Sequence, residues 1–364
     1  MIRVLHVGMN SKLGGIEIFI MNLYRKINRE KIQFDFIDAT EDGIYFKDEI
    51  EKMGGKIYKV TPRRKGILKN RKEIEKIIAD NNYKIIHNHL NTLSYITAIE
   101  IGLKRNLKVI VHSHNEWKGK KLKTLLLHKI NFRKLYNKDI IRLACSDIAG
   151  KWIFGDNEYT VINNGIDTEK FKIDYEKRKR VRNEILNVKN EDTVVIGHVG
   201  AFREQKNHRY IIEIFKEYLK LNDNALLVFL GEGDTKQEII DKVKKYGIED
   251  KVKFLGIRND TDCFYSAFDI FLFPSIFEGL GIVLIEAQLS GLKCFVSEAI
   301  PKEAIITDNV TQLCLKDMPN EWAMKMMTVD NTYDRNIEIT EKIRKFDSSK
   351  LVKDLEEIYF NCIK

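Results

Sequence analysis

The chain has 364 residues, 44% of them apolar and 32% charged, with five cysteines and a net charge of +9. That length exceeds one ordinary hydrophobic core and suits two globular domains, and the composition excludes a disordered or collagen-like chain. The cysteines are scattered and lack any Cys-x-x-Cys, which points to a reducing cytoplasm and away from a disulfide frame or a cysteine zinc site, and no apolar run approaches the roughly 20 residues of a membrane span.

Met1 to Asn10 reads as a buried strand ending in a turn at Asn10-Ser11, and its apolar stretch is too short for a signal peptide. The strand over 4–7 leads through Gly14-Gly15 into a helix over 16–27. A glycine pair there lets backbone approach a phosphate, although such pairs commonly just make turns, and the absence of Gly-x-Gly-x-x-Gly disfavours a dinucleotide site. Strands follow over 34–37, 85–87 and 109–112. His87-Asn88-His89 either lines a cleft or is a polar exit from the sheet, the second being favoured. His112 and His114 point the same way if their strand continues, as a metal pair would, but no acidic or third ligand stands at useful spacing, so no metal is expected. Residues 1–180 hold 37 basic and 22 acidic side chains, a balance of +15, and the remainder has a balance of −6. One basic cluster runs from Arg63 to Lys72. The other (Lys118, Lys120, Lys121, Lys123, Lys129, Arg133, Lys134, Lys138) interleaves with Trp117, Leu122, Leu125, Leu126, Phe132 and Leu135. Such a segment suits either an anionic membrane surface or a solvated face, and no nucleic-acid motif accompanies it.

Asn163-Asn164-Gly165-Ile166-Asp167 follows a short strand over 161–162, and its Asn-Gly pair suits a left-handed turn. The charged stretch 170–190 is expected to hold a linker and a first surface helix, and a second α/β series starts near Thr193. Its strands are expected over 194–199, 226–230, 252–254, 270–273 and 293–296. The first runs into a loop with Arg203 and Lys206, the second closes on Gly231-Glu232-Gly233, and the third on Gly256-Ile257-Arg258. Asp260-Thr261-Asp262 has a metal-binding form but begins a helix over 263–268, where acids suit the dipole. After the fourth strand, Glu278-Gly279-Leu280-Gly281 enters an apolar helix over 282–289. That turn offers free amides to an anion. Glu278 and Glu286, eight residues apart, can accept hydrogen bonds from hydroxyls, and Glu286 needs a polar partner inside its apolar run. Phosphate plus hydroxyls is the surface of a nucleotide sugar. A last helix carries Leu351, Leu355, Ile358, Tyr359 and Cys362 at helical spacing, with Ser348 or Ser349 as cap. The alternation of strands and helices reads as doubly wound α/β.

The Glu278–Glu286 pattern after Pro274-Ser275, with Gly197 to His208 and Asn163 to Asp167, resembles the signatures of the retaining GT-B glycosyltransferases of the sucrose-synthase-like family four, in their bacterial exopolysaccharide or capsule type. The resemblance covers nearly the whole chain and is more specific in its C-terminal half. It implies two Rossmann-like doubly wound α/β domains facing across a cleft. One would bind the acceptor, over 1–170 with a crossing helix at about 349–364, and the other a nucleotide sugar, over 171–348. It further implies metal-independent, retaining transfer from a UDP sugar, with no bound cofactor, to a saccharide acceptor that is lipid-linked. The enzyme would be cytoplasmic, held at the inner face of the membrane by its basic domain. By the same resemblance Lys206 falls on the phosphate-binding lysine, and Arg203 stands near Ala201, where the family commonly has arginine. Gly15 would face the diphosphate, Gly231 and Ile257 the nucleotide, Glu286 the ribose, and Glu278 the sugar, with the amides of Gly279, Leu280 and Gly281 on the leaving group. His114 matches a histidine near the transferred sugar, with His112 second; His89 stays the candidate for lining the acceptor cleft, beside the favoured reading as a polar exit. The alternatives are another GT-B enzyme, a phosphorylase or nucleotide-sugar epimerase, or a non-catalytic nucleotide-sugar-binding subunit, which Ala201 would suit.

Overall fold

The computed structural model describes residues 1–364 except 116–118, 120, 164, 191, 331–332 and 364. Trp117, Lys118 and Lys120 of the basic segment and Asn164 of the Asn-Gly turn therefore lie outside the described residues. Two compact units emerge, Met1–Ile166 with Lys345–Lys364, and Asp167–Arg344.

The first unit contains β1 (Ile2–Val7), α1 (Gly15–Lys26), β2 (Ile32–Asp38), α2 (Lys47–Lys52), β3 (Ile57–Lys59), α3 (Ile67–Asp80), β4 (Ile85–Leu90), α4 (Thr97–Lys104), β5 (Lys108–Ser113), α5 (Leu122–Leu135), β6 (Ile141–Ala144), α6 (Asp147–Phe154) and β7 (Thr160–Val161). Among the described residues these strands form a parallel sheet in the order β3-β2-β1-β4-β5-β6-β7. One face packs under α1 and the C-terminal helix Ser348–Asn361, joining Val4, Phe34, Ile85 and Ile110 to Phe19, Leu351, Leu355 and Tyr359. Neither expected serine caps that helix. Asp347 stands one residue earlier and accepts from the Ser349 amide at 2.6 Å. Gly165 is not in the left-handed region. Its lack of a side chain serves packing instead, because a Cβ there would lie 2.6 Å from Leu351 Cδ2 and 2.9 Å from Ser348 Cα.

The second unit contains α7 (Tyr175–Arg180), β8 (Val194–Val199), α8 (His208–Leu221), β9 (Ala225–Leu230), α9 (Lys236–Tyr246), β10 (Val252–Phe254), α10 (Thr261–Ala267), β11 (Ile270–Phe273), α11 (Ile282–Leu289), β12 (Lys293–Ser297), β13 (Val310–Leu313), α12 (Pro319–Met326) and α13 (Glu341–Arg344). Its parallel sheet runs β10-β9-β8-β11-β12-β13. β8 and β9 are buried at every position, as strands covered on both faces must be. α8 packs Ile211, Ile212, Phe215 and Tyr218 into the core. The charged stretch before β8 is more than a surface helix. α7 continues into a wider turn at Val181–Ile185, and buried Arg182 pairs with Asp269 at 2.9 Å.

In both sheets the strand order reverses once, between β1 and β4 and between β8 and β11. Open α/β sheets bind ligands at the carboxyl ends of the strands beside such a reversal.

Candidate active site

The loops after β8 and β11 meet at the reversal in the second sheet. Lys206 Nζ lies 2.8 Å from Glu278 Oε1 and 4.7 Å from the centre of the Phe273 ring. Gln205, which sequence reasoning passed over, donates to Glu278 Oε2 at 3.3 Å and to the Phe277 carbonyl at 2.9 Å. Both members of the ion pair are largely withdrawn from solvent, with side chains 15% and 7% exposed. Gly281, at φ +82°, precedes α11, whose N-terminus has no side-chain cap among the described residues. The Leu284 amide donates to the Gly281 carbonyl at 2.9 Å, which leaves the two amides before it, of Ile282 and Val283, available to an anion. Leu280 is buried beside that turn.

Glu286 finds its partner in Tyr265 on α10, whose hydroxyl donates to Oε2 at 2.9 Å. Burial pushes the Glu286 carboxyl up to about 7, opposed by that hydrogen bond and by Lys170. Burial likewise raises the Tyr265 hydroxyl, with the Glu286 charge adding to it.

Three strand-end loops are knitted by backbone bonds from Gly200 to Leu230, Phe202 to Glu232 and Gly231 to Gly256, at 2.8–3.0 Å. Gly231 has φ +144°, and a Cβ on it would lie 2.1 Å from the Gly200 oxygen. Its glycine identity is thus required by the loop itself. Ile257 and Arg203 are exposed, and Arg203 has no ion pair among the described residues. The carboxylates of the Asp-x-Asp segment face cations: Asp260 is gripped by Arg258 at 2.7 Å, and Asp262 by Lys177 at 2.9 Å and Lys170 at 3.5 Å.

In the first unit, Gly15 opens α1, and a Cβ on it would meet nothing within 4 Å among the described residues. Buried Glu17 accepts from the Asn10 amide at 2.8 Å and so ties down the loop after β1. His87 and His89 are not a polar exit. β4 runs on to Leu90, and both rings are buried. Parallel register sets His89 beside His112 and His6 beside His87. His89 Nδ1 stands 2.9 Å from His114 Nε2, and its Nε2 stands 2.9 Å from His6 Nδ1. The third imidazole that the sequence neighbourhood of His112 and His114 lacks comes from the adjacent strand. Burial pulls His6 and His114 down to about 3, and His87, His89 and His112 well below the ordinary value, so all five are neutral at physiological pH.

The family model described as Glycosyltransferase Family 4 matches residues 13–170, and that described as Glycosyl transferases group 1 matches residues 180–345. EpsF of Bacillus subtilis, for which glycosyltransferase is itself a provisional assignment, is 30% identical over 342 residues, 88% of this chain and 86% of the relative. The UDP-Gal:alpha-D-GlcNAc-diphosphoundecaprenol alpha-1,3-galactosyltransferase of Escherichia coli is 24% identical over 81% of this chain and 79% of its own. The crystal structure of Anabaena Alr3699/HepE in complex with UDP and glucose covers 99% of this chain and 100% of that one, with a TM-score of 0.77 at 17% identity, a likeness of fold.

Proposed function

Because the chain belongs to the GT-B glycosyltransferases of family four, we propose that it moves a sugar from a UDP sugar to a lipid-linked saccharide of a cell-surface glycan, with retention of anomeric configuration. The observation that carries this reading is the Lys206–Glu278 pair beside the uncapped start of α11, at the strand reversal of the second sheet. An ammonium has three N–H donors, and Glu278 takes one. The others are left for a diphosphate, whose negative charge grows as the glycosidic bond breaks, and a preorganised cation there lowers the barrier. The α11 amides act on the same oxygens. Glu286 accepts from the ribose hydroxyls, and Glu278 from a sugar hydroxyl with the oxygen that Lys206 does not hold. Retention then follows a front-face path, in which the departing phosphate takes the acceptor proton. In the first unit, the family resemblance offers Gly15 and His114, the latter through Nδ1 because Nε2 faces His89, as the residues that meet substrate.

The acceptor class is supported by the E. coli relative, named for a diphosphoundecaprenol-linked substrate, and the donor class by that same name and by the UDP in the HepE complex. No helix among the described residues is long and apolar enough to cross a membrane. α5 instead carries Leu122, Leu126 and Ile130 exposed on one stripe, 81%, 60% and 42% respectively, beside Lys123, Lys129 and Arg133. Such a stripe suits the surface of an anionic bilayer, where a lipid-linked acceptor resides.

Calorimetric titration with UDP and a panel of UDP sugars tests the donor site. Micromolar binding by the parent that is lost in Glu286→Ala and Lys206→Ala is the expected result. Silence with UDP would remove the mechanism and leave the fold.

A further inference from the structure

β1, β4 and β5 are neighbours, and they gather His6, His87, His89, His112 and His114 on one face of the first sheet. Phe19 meets His112 and His114 edge-on at 4.8 and 5.0 Å. His6, His87, His89 and His112 are at most 4% exposed, and His114 is partly open to solvent. A neutral imidazole has one donor and one lone pair. His89 spends both nitrogens on His6 and His114. His87 spends Nδ1 on the Tyr359 hydroxyl at 2.7 Å and Nε2 on His112 Nδ1 at 3.3 Å. Among the described residues His112 Nε2 is left buried with no partner, a costly state for a polar atom.

We propose that His89, His112 and His114 form a transition-metal site that takes Zn2+ or a similar borderline divalent ion. Their ligand nitrogens all lie within 4.8 Å of one another. A tetrahedral ion with bonds of about 2.0–2.1 Å needs nitrogens roughly 3.3 Å apart, so the widest pair has at most about 1.5 Å to close. His89 Nδ1 and His114 Nε2, now 2.9 Å apart, would turn lone pairs to the ion, and the orphaned His112 Nε2 would gain a partner. The outer nitrogens then fall into one consistent set. His89 Nε2–H donates to His6 Nδ1, which puts the His6 proton on Nε2, an atom buried without a partner among the described residues with or without the ion. His112 Nδ1–H donates to His87 Nε2, and His87 Nδ1–H to Tyr359 Oη. Each of those two ligands is thus oriented by a second hydrogen bond, as metal-bound histidines are. Three imidazoles without a carboxylate select Zn2+, Co2+, Ni2+ or Cu2+ over Mg2+ or Ca2+. A second group, His6, His87 and His89, is equally close. It is sealed on all sides, and Tyr359 and His112 already occupy both nitrogens of His87, so it lacks the entry route and open position that partly exposed His114 provides.

The inference does not rest on the donor chemistry above, and its test reads no sugar transfer. Tag-free, chelator-treated full-length protein is titrated with Co2+ and followed by visible absorption. One equivalent should give the d–d bands of tetrahedral nitrogen-bound cobalt, and Zn2+ should displace it. His114→Ala, at the partly exposed position, should weaken Co2+ binding by about 100-fold with unchanged circular dichroism, and His6→Gln by less, as an outer-sphere change. Absence of the bands in the parent, unchanged affinity in His114→Ala, or a larger loss in His6→Gln than in His114→Ala would each overturn the site.

Discussion

Replacing Glu286 by glutamine should strengthen the fold and weaken the donor site together. The carboxyl has a folded-state pKa of about 7, against 4.5 for an ordinary glutamate, because burial disfavours its charge. Between those values the folded chain holds a proton that the unfolded chain has released. Stability therefore falls as pH rises from about 4.5 through about 7, and stays low above that. A gap of about 2.5 pH units at 1.36 kcal/mol each is ~3 kcal/mol, and ~2 kcal/mol once the partial exposure of the residue is allowed for. Glu286→Gln keeps the shape and a carbonyl for Tyr265 but has no charge to bury. The variant should match the parent near pH 4.5 and exceed it by ~2 kcal/mol above about pH 7.5, roughly 4–8 °C of Tm for a unit of this size. Scanning calorimetry across that range without nucleotide gives the two curves, and parallel curves would refute the argument from burial. In the same preparation the affinity for UDP should drop by ~1–2 kcal/mol, the loss of a charged acceptor for hydroxyls. A stabilised variant that binds UDP as tightly as the parent would separate Glu286 from the ribose.

Lys206→Ala leaves buried Glu278 without its cation and should destabilise the chain by about 3 kcal/mol in urea, while Lys206→Met with Glu278→Leu should recover most of that stability and none of the UDP binding; equal losses in both would show that the pair does not hold the loop. Gly231→Ala should cost at least about 2 kcal/mol in the same assay, because its Cβ meets the Gly200 oxygen and φ +144° suits no side chain; a neutral result would contradict the knitted loops. Leu122→Ser with Leu126→Ser should reduce binding to anionic vesicles at least about tenfold, from the apolar area lost. Lys121→Glu with Lys123→Glu should do so in a salt-dependent way. Vesicle flotation reads both, and absent or unaltered binding would remove the membrane role.

What was legible in the sequence follows the physics of each feature. The strands expected over 194–199, 252–254 and 270–273 and the helix over 282–289 match β8, β10, β11 and α11, since continuous apolar runs between turn residues have few other homes. β3, β6 and β13 escaped notice because they are short and keep half-exposed or polar residues. The cap of the C-terminal helix was misplaced by one residue because Asp347, Ser348 and Ser349 are all competent caps, and backbone geometry decides among them. That Glu286 needs a partner was readable from its apolar run. That the partner is Tyr265 was not, since α10 and α11 meet only through the fold. Lys206 and Glu278 are separated by 72 residues and joined by the reversal between β8 and β11. The histidines make the same point most sharply. His87-x-His89 and His112-x-His114 each declare one face of a strand, but their sum depends on β4 and β5 being neighbours in parallel register. A crossover helix permits that pairing without announcing it, so the sequence shows two separate histidine pairs and the fold joins them into one cluster.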